Sequence, residues 1–182
     1  MQGKRIIILI IVFFALAFQS VSAQEVSVSG VPTPTPISYA LPYPGILPGN
    51  PLYFFKTIRD VIAGFLITGP LKKAEFDLLQ TDKYLAISQA LFDQKKEKTE
   101  IFSSLDQALA YFDNAIKKTE EAKKQGMESQ ALTQKLFIAN LKHQEVVRSM
   151  VLATKGDDQK AYASRLEKLK EFGKKVKTLH RS

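Results

Sequence analysis

Residues 71–96 read LKKAEFDLLQTDKYLAISQALFDQKK, and this segment decides the fold of the chain. Its large apolar residues recur every seven positions, at Leu71, Leu78, Leu85 and Phe92. That interval is close to two turns of an α-helix, so the four side chains share one face. Polar residues fill most of the remaining positions, which is typical of a helix that buries one side. We therefore predict an amphipathic helix that packs against partners of the same kind.

The chain repeats this pattern beyond the segment. Of its eight prolines none lies after Pro70, and a proline inside a helix costs about 3 kcal/mol. Gly69, Gly126 and Gly156 separate the periodic segments and suit helix ends. Because the connections are short, we predict an all-α fold, an antiparallel bundle of about five helices. The predicted helices cover residues 51–67, 71–96, 99–124, 128–154 and 157 onward.

The N-terminal residues 1–23 have the three parts of a secretory signal peptide. Lys4 and Arg5 precede an uninterrupted apolar run of 13 residues at 6–18, and small residues follow at 21 and 23. We predict cleavage after Ala23 and an extracytoplasmic location, whether secreted, periplasmic or at the cell surface. The alternative is an uncleaved membrane anchor, although such a run spans only about 20 Å of an apolar layer about 30 Å thick.

Three regions follow from this composition: a signal peptide at 1–23, a proline-rich extended leader at 24–49 and a helical bundle domain at 50–182. Residues 31–36 alternate proline with β-branched residues, a pattern that favours polyproline II. Asn50 is expected to cap the first helix, with Pro51 in its first position. The chain has no cysteine, which excludes disulfides, thiolate metal sites and cysteine nucleophiles.

The first predicted helix, residues 51–67, is apolar on most sides. A helix of this kind is expected to be buried in the protein, or half-buried in a membrane surface. It cannot span a bilayer, because three charged residues interrupt it between positions 56 and 60. Gly64 in this helix and Gly173 in the last one lie inside predicted helices and have no explanation in the pattern; close helix packing is one option.

Residues 43–56, YPGILPGNPLYFFK, resemble the opening signature of an uncharacterised family of exported helical proteins of bacteria and archaea. In that signature a Tyr-Pro-Gly-(Leu/Ile)-Leu-Pro stretch leads into Pro-Leu-Tyr, an aromatic helix and a basic residue. Residues 69–75, GPLKKAE, are similar to the start of the family's second helix. The resemblance covers residues 39–91 and implies export and a helical topology. The family is a domain of unknown function, so the resemblance implies no catalytic residue.

The aromatic residues of this signature have two interpretations. In the first, the rings of Tyr43, Tyr53 and Phe54 hold the leader against the bundle. In the second, Tyr43, Pro44, Tyr53 and Phe54 form an exposed docking patch for a partner, since exposed aromatic residues are common at binding surfaces.

Residue types that carry catalysis or bind metals are sparse in this chain. His143 lies on the apolar face of the fourth predicted helix, where a packed or half-exposed ring is expected, and His180 lies in a basic tail. Asn140 and Lys177 occupy the positions where a Glu-x-x-His metal motif would require glutamate. No phosphate-binding loop, calcium loop or hydrolase motif is present. We therefore predict no enzyme, no metal site and no cofactor.

Positive charge is concentrated at the C-terminus. Residues 160–182 contain eight bases and two acids, and their net charge of +6 equals that of the chain without its signal peptide, 8 − 2 = +6. This helix either binds an anionic surface or packs into the core with its lysines in solvent. The candidate residues for an anionic surface are Lys168, Lys170, Lys174, Lys175, Lys177 and Arg181.

The sequence thus predicts an exported, non-catalytic interaction or scaffold module whose partner is an envelope or cell-surface protein. An oligomer formed through coiled-coil contacts is one form of this prediction. The alternative is a peripheral binder of an anionic membrane or envelope polymer that uses the basic C-terminal helix. Nucleic acid is not an expected partner, because export removes the protein from it.

Overall fold

The computed structural model describes residues 37–181, and this part of the chain is helical without any β-strand. The all-α prediction is therefore confirmed for these residues. The predicted signal peptide and the first part of the predicted leader lie outside them. None of the helices in the described part is long and apolar enough to cross a membrane. The helices are α1 Tyr53–Leu66, α2 Pro70–Asp93, α3 Lys98–Lys124, α4 Gln130–Ala153 and α5 Gly156–Arg181.

Four of these helices form a bundle of two antiparallel hairpins, α2 with α3 and α4 with α5. The hairpins pack face to face, so that α3 lies against α5 and α2 lies against α4. At one end Lys98 Nζ of α3 lies 2.5 Å from Asp158 Oδ2 of α5. At the other end Lys123 Nζ donates to the Leu179 carbonyl at 2.8 Å. These two contacts show that α3 and α5 run in the same direction.

The apolar stripes of α2–α5 meet in one core. Leu78 and Leu85, in the middle of the seven-residue repeat of α2, are each 1% exposed, and Phe112 of α3 is fully buried. Each such side chain contributes about 1.5–3 kcal/mol when it leaves water. Leu71 and Phe92, at the two ends of the repeat, are only partly buried. The periodic pattern therefore identified the core face of α2 correctly.

The helix connections match the glycine positions closely. Gly69, Gly126 and Gly156 have positive φ angles of 87°, 74° and 64°, as their predicted role at helix ends requires. The α2–α3 connection has no glycine, and Lys95 adopts the left-handed conformation with a φ of 54°. The Lys96 N–H then bonds to the Leu91 carbonyl at 2.9 Å, which ends α2 at Asp93, three residues before the predicted end.

The described part of the leader packs against the bundle. Tyr39, Leu41 and Leu47 contact the core as partly buried residues. The first helix starts later than its predicted position at Pro51. Asn50 Oδ1 accepts the Leu52 N–H at 2.9 Å and closes a turn before the helix. Helix α1 consequently begins at Tyr53.

Candidate interaction surface

Helix α1 rests on the bundle with its small and polar side inward. None of its residues is buried. Its half-buried residues recur at steps of three and four and therefore form one face, which consists of Tyr53, Lys56, Thr57, Asp60, Ala63 and Gly64. The expectation that α1 is buried within the protein is therefore wrong.

Two contacts show how this face meets α2. A Cβ atom added to Gly64 would lie 2.9 Å from Phe76 Cε1, so the glycine permits the helices to approach closely. This contact explains a glycine that the sequence pattern left unexplained, with close helix packing as one option. Lys83 Nζ lies 3.9 Å from Asp60 Oδ1 nearer the start of α1. The order of these contacts along the two helices makes α1 antiparallel to α2.

The N-terminal end of α1 is held by aromatic side chains. Tyr53 is a half-buried residue packed against the core, and its neighbour Tyr84 stacks on Tyr111 with ring centroids 5.5 Å apart. Burial, followed by the effect of the neighbouring Tyr53, raises the pKa of Tyr84 to about 12. All three phenols therefore serve as neutral packing groups at ordinary pH.

The opposite face of α1 is apolar and points away from the bundle. Seven of its large apolar side chains are between 41% and 85% exposed, namely Phe54, Phe55, Ile58, Val61, Ile62, Phe65 and Leu66. At 100° per residue they occupy an arc of about 140°. The apolar side of a helix ordinarily faces the core of its protein. In α1 the arrangement is inverted, and we call these seven side chains the outer face of α1.

The outer face is large for a protein surface. With about 200 Å² for each fully exposed side chain of this size, the seven exposures amount to roughly 900 Å². Contiguous apolar patches on monomeric proteins rarely exceed a few hundred Å², and larger ones mark sites of interaction with proteins or membranes. The outer face is therefore the strongest candidate for a binding surface within the described residues.

The predicted docking patch is only partly assembled. Tyr43 is 86% exposed and Phe54 is 63% exposed, so neither ring holds the leader against the bundle. Tyr53 faces the bundle, and Phe54 lies on the outer face. Tyr43 and Pro44 instead line a cleft beside α1 together with Phe55. The sequence pattern did not show which side of this segment is exposed, and the docking patch stays a prediction.

This cleft, between the leader turn and α1, has a volume of about 530 Å³ and contains three cationic side chains, Lys56, Arg59 and Lys83. Lys56 Nζ donates to the carbonyls of Pro44 at 2.9 Å and Ile46 at 3.2 Å, which fixes the leader turn. Burial lowers the pKa of Lys56, and the nearby Asp60 carboxylate opposes that shift.

Arg59 is the most accessible of the three cations, with 67% of its side chain exposed. Its Nη2 donates to Asp60 Oδ1 at 2.8 Å. Lys83 shares the same carboxylate oxygen at 3.9 Å. Three cations and one carboxylate leave this cleft with a net charge of about +2, next to the apolar outer face.

The basic candidates on α5 do not form one patch. The helix buries Tyr162, Leu166, Leu169, Phe172 and Val176, so its apolar stripe faces the core. At 100° per residue the bases divide into two groups, on either side of that stripe. Lys168 and Lys175 form the group next to α3, where Lys175 Nζ lies 3.6 Å from Asp113 Oδ1. The second group consists of Lys170, Lys174, Lys177 and Arg181.

A buried polar network connects the leader to the bundle. The Tyr39 hydroxyl donates to Asp82 Oδ2 at 2.6 Å, and His143 Nε2 lies 2.7 Å from Asp82 Oδ1. Asp82 is 6% exposed and His143 is 1% exposed. Burial, followed by the bond to Asp82, raises the pKa of Tyr39 above its usual value. The network joins the leader, α2 and α4, and its members bond to one another.

Sequence reasoning placed His143 on an apolar face but missed its partners. The signal was present, since Asp82 lies four residues after Leu78 and three before Leu85, within the core stripe of α2. His143 interrupts the stripe of α4 in the same way. An acid and a base that each interrupt a core stripe are candidates for a buried pair.

Comparisons with known proteins do not indicate a function for this chain. No family model matches the chain, and no curated protein or solved structure is significantly similar to it. The resemblance of residues 43–56 to an exported helical family therefore stays a prediction. Within residues 37–181, no three His, Cys, Asp or Glu side chains are grouped so as to hold a metal ion.

Proposed function

We propose that this chain is a non-catalytic interaction module that acts outside the cytoplasm, and that the outer face of α1 is its binding surface. One observation carries the proposal: α1 turns its polar side to the bundle and seven large apolar side chains to solvent. The extracytoplasmic location rests on the signal-like composition of residues 1–23.

The free energy gained when a partner covers the outer face of α1 supports its role as a binding surface. If a partner covered half of its roughly 900 Å², transfer from water at about 25 cal/mol per Å² would contribute on the order of 10 kcal/mol. Association itself costs several kcal/mol in lost motion, so only part of this gain appears as affinity. A remainder of about 4–6 kcal/mol corresponds to a dissociation constant between about 1 mM and tens of micromolar, which is the range of a reversible complex.

The remainder of the described chain suits the role of a rigid support. The Asp82–His143–Tyr39 network and the contact of Gly64 with Phe76 hold both ends of the leader–α1 segment on the bundle. A surface that is held in place before it binds loses less conformational entropy on association. We therefore assign a scaffold role to α2–α5 and the binding role to α1.

The test replaces the centre of the outer face. Ile58→Asn with Ile62→Asn removes two exposed side chains, and Leu152→Asn on α4, where Leu152 is 77% exposed, is the matched control. We expect the double variant to lose its association with the envelope fraction of its own cell while its thermal midpoint is unchanged. The control should retain that association. Retention by the double variant would contradict the proposal.

A second candidate function uses the basic helix α5. Its second group of bases, Lys170, Lys174, Lys177 and Arg181, lies on one side of the helix and suits an anionic surface. Charge reversal by Lys174→Glu with Lys177→Glu should abolish envelope association if this group is the binding surface. If α1 is the binding surface, the same variant retains most of that association.

A further inference from the structure

We infer that the partner of the outer face is an anionic phospholipid bilayer, on which α1 lies flat while the adjacent cationic cleft receives a lipid phosphate. This inference rests on the proposed function and names the partner of the same surface. It places α1, the leader turn and Lys83 at the boundary between lipid headgroups and acyl chains.

The shape of α1 agrees with a helix that lies in the plane of a membrane. Its 14 residues measure about 21 Å, too short to cross an apolar layer of about 30 Å. Its inner face is fixed along α2, so only the outer face is free to enter lipid. Interfacial helices bury such a face about 5–10 Å deep, and phenylalanine is among the residues they use. The outer face contains three phenylalanines, Phe54, Phe55 and Phe65.

The charges next to the outer face complement an anionic headgroup. Arg59 and Lys83 both line the cleft, and Asp60 is the carboxylate that they share. The Arg59 guanidinium directs Nε and Nη2 at Asp60 Oδ1, so part of its set of five N–H donors is left for a phosphate oxygen. Lipid phosphate at this position would lie at the depth where arginine and lysine side chains meet the headgroups.

The position of Tyr43 also supports the inference that α1 lies on a lipid bilayer. Its ring lines the cleft and is 86% exposed, although it follows a segment of leader that packs on the core. Tyrosine is enriched at membrane–water interfaces, because its ring enters the apolar layer while its hydroxyl stays hydrated. A tyrosine held at the rim of an apolar face is therefore well placed to reach the headgroup region.

A second copy of this chain fits the outer face less well. Two helices of this length touch along a strip of each face, and covering half of each roughly 900 Å² face would bury about 900 Å² in total, below the ~1,200 Å² of stable interfaces. An arc of about 140° is also wider than one partner helix covers. A lipid surface deforms around the whole arc, including Phe54 and Leu66 near its edges.

The first experiment reports the depth of α1 directly. The chain contains no tryptophan, so Phe65→Trp and Leu152→Trp each introduce a single fluorophore, one on the outer face and one on α4. The full chain is expressed with its own N-terminal residues, and the exported form is added to phosphatidylcholine–phosphatidylglycerol vesicles. We expect emission from Trp at 65 to shift to the blue and to be quenched by brominated acyl chains. Emission from the α4 position should not change.

The second experiment separates the apolar and cationic contributions by co-flotation with the same vesicles. Ile58→Asn with Ile62→Asn should lower partitioning at least about tenfold. Arg59→Gln with Lys83→Gln should lower binding to anionic vesicles about tenfold and leave binding to pure phosphatidylcholine unchanged. Leu152→Asn should not alter either. Circular dichroism checks that all variants remain folded.

The outcomes distinguish this inference from the proposed function. Wild-type protein that ignores vesicles but forms an oligomer dissolved by the Ile58/Ile62 variant would overturn the lipid assignment and keep α1 as the binding surface. A crosslink from position 62 to one envelope protein, without vesicle binding, would do the same. Both proposals fail if the Ile58/Ile62 variant changes neither vesicle binding, oligomeric state nor envelope association.

Discussion

Helices α1 and α5 are both amphipathic, yet they present opposite sides to the bundle. Helix α5 buries its apolar stripe and leaves its bases in solvent, whereas α1 turns its polar side inward and its apolar side outward. The difference lies in the available partner. Helix α5 folds back on α4 and completes a core, but α1 meets a surface of α2 where Phe76, Lys83 and Tyr84 already lie at the outside. An amphipathic pattern thus specifies two faces without assigning either to the core.

The largest expected effect compares the same substitution in these two helices. Phe172 of α5 is 3% exposed and Phe65 of α1 is 85% exposed. We expect Phe172→Ala to lower the free energy of unfolding by about 3–5 kcal/mol, because it leaves a cavity in the core. Phe65→Ala should change it by less than about 0.5 kcal/mol. Urea denaturation of both variants measures the contrast, and similar losses would show that the outer face is buried in the monomer.

The next effect concerns the network that holds the leader in front of α1. Asp82→Ala leaves His143 buried without its partner, so we expect a loss of about 3 kcal/mol. Asp106→Ala is the matched control, because Asp106 pairs with Arg165 but 55% of its side chain is exposed. That control should cost less than about 1 kcal/mol. Equal losses in chemical denaturation would mean that the Asp82–His143 pair is no more important than a surface ion pair.

The two glycines within helices give a smaller contrast. A Cβ atom at Gly173 would lie 2.6 Å from Asn140 Oδ1, which is buried between α4 and α5. Gly173→Ala should therefore cost about 1–2 kcal/mol of global stability in spite of the better helix propensity of alanine. Gly64→Ala presses on Phe76 and should instead loosen α1. Hydrogen exchange should become faster within α1 alone, with the free energy of global unfolding unchanged within about 0.5 kcal/mol.

The smallest expected effect is a pH dependence of the free energy of unfolding, and it concerns a residue of the bundle, Asp77 in α2. Burial raises the pKa of Asp77 in α2 from 3.8 to about 6, against the opposing pull of Lys118 and Lys73. Because the folded state binds this proton more tightly than the unfolded chain, stability decreases as the pH rises from about 4 to 6. Asp77→Asn should therefore stabilise the protein by about 1 kcal/mol above pH 6, a figure reduced for the half-exposed side chain.

The control for this prediction is the same variant near pH 3, below both the unfolded and the folded pKa, where Asp77 is largely protonated in both states. Wild type and variant should then unfold at the same urea concentration. A constant difference at both pH values would point to a cause other than the ionisation of Asp77.

Much of the fold was predictable because its determinants are local. The seven-residue repeat identified the buried leucines of α2, and glycines marked three of the helix ends. The contact of Gly173 with Asn140 explains a glycine inside a helix that the sequence pattern left unexplained. The residues of the predicted basic surface all lie on α5, but the geometry of that helix separates them into two groups.

The candidate site was less predictable, because it depends on which elements meet. Tyr39 and Asp82 are 43 residues apart, and Asp82 and His143 are 61 apart, so no local pattern connects them. The sequence indicated that residues 43–56 are unusually aromatic and apolar. It did not show that Tyr53 faces inward while Phe54 and Phe55 face outward, since both sides of this helix carry aromatic residues.

The amino-acid sequence by itself determined that residues after position 50 form helices and which residues share each helix face, because helix periodicity, proline exclusion and glycine conformation act over a few residues. Only the tertiary structure decided which face of α1 meets the bundle and how the acid and base in the core pair. Those outcomes depend on long-range packing, in which the surface that one helix can bury is set by the helices already assembled beside it.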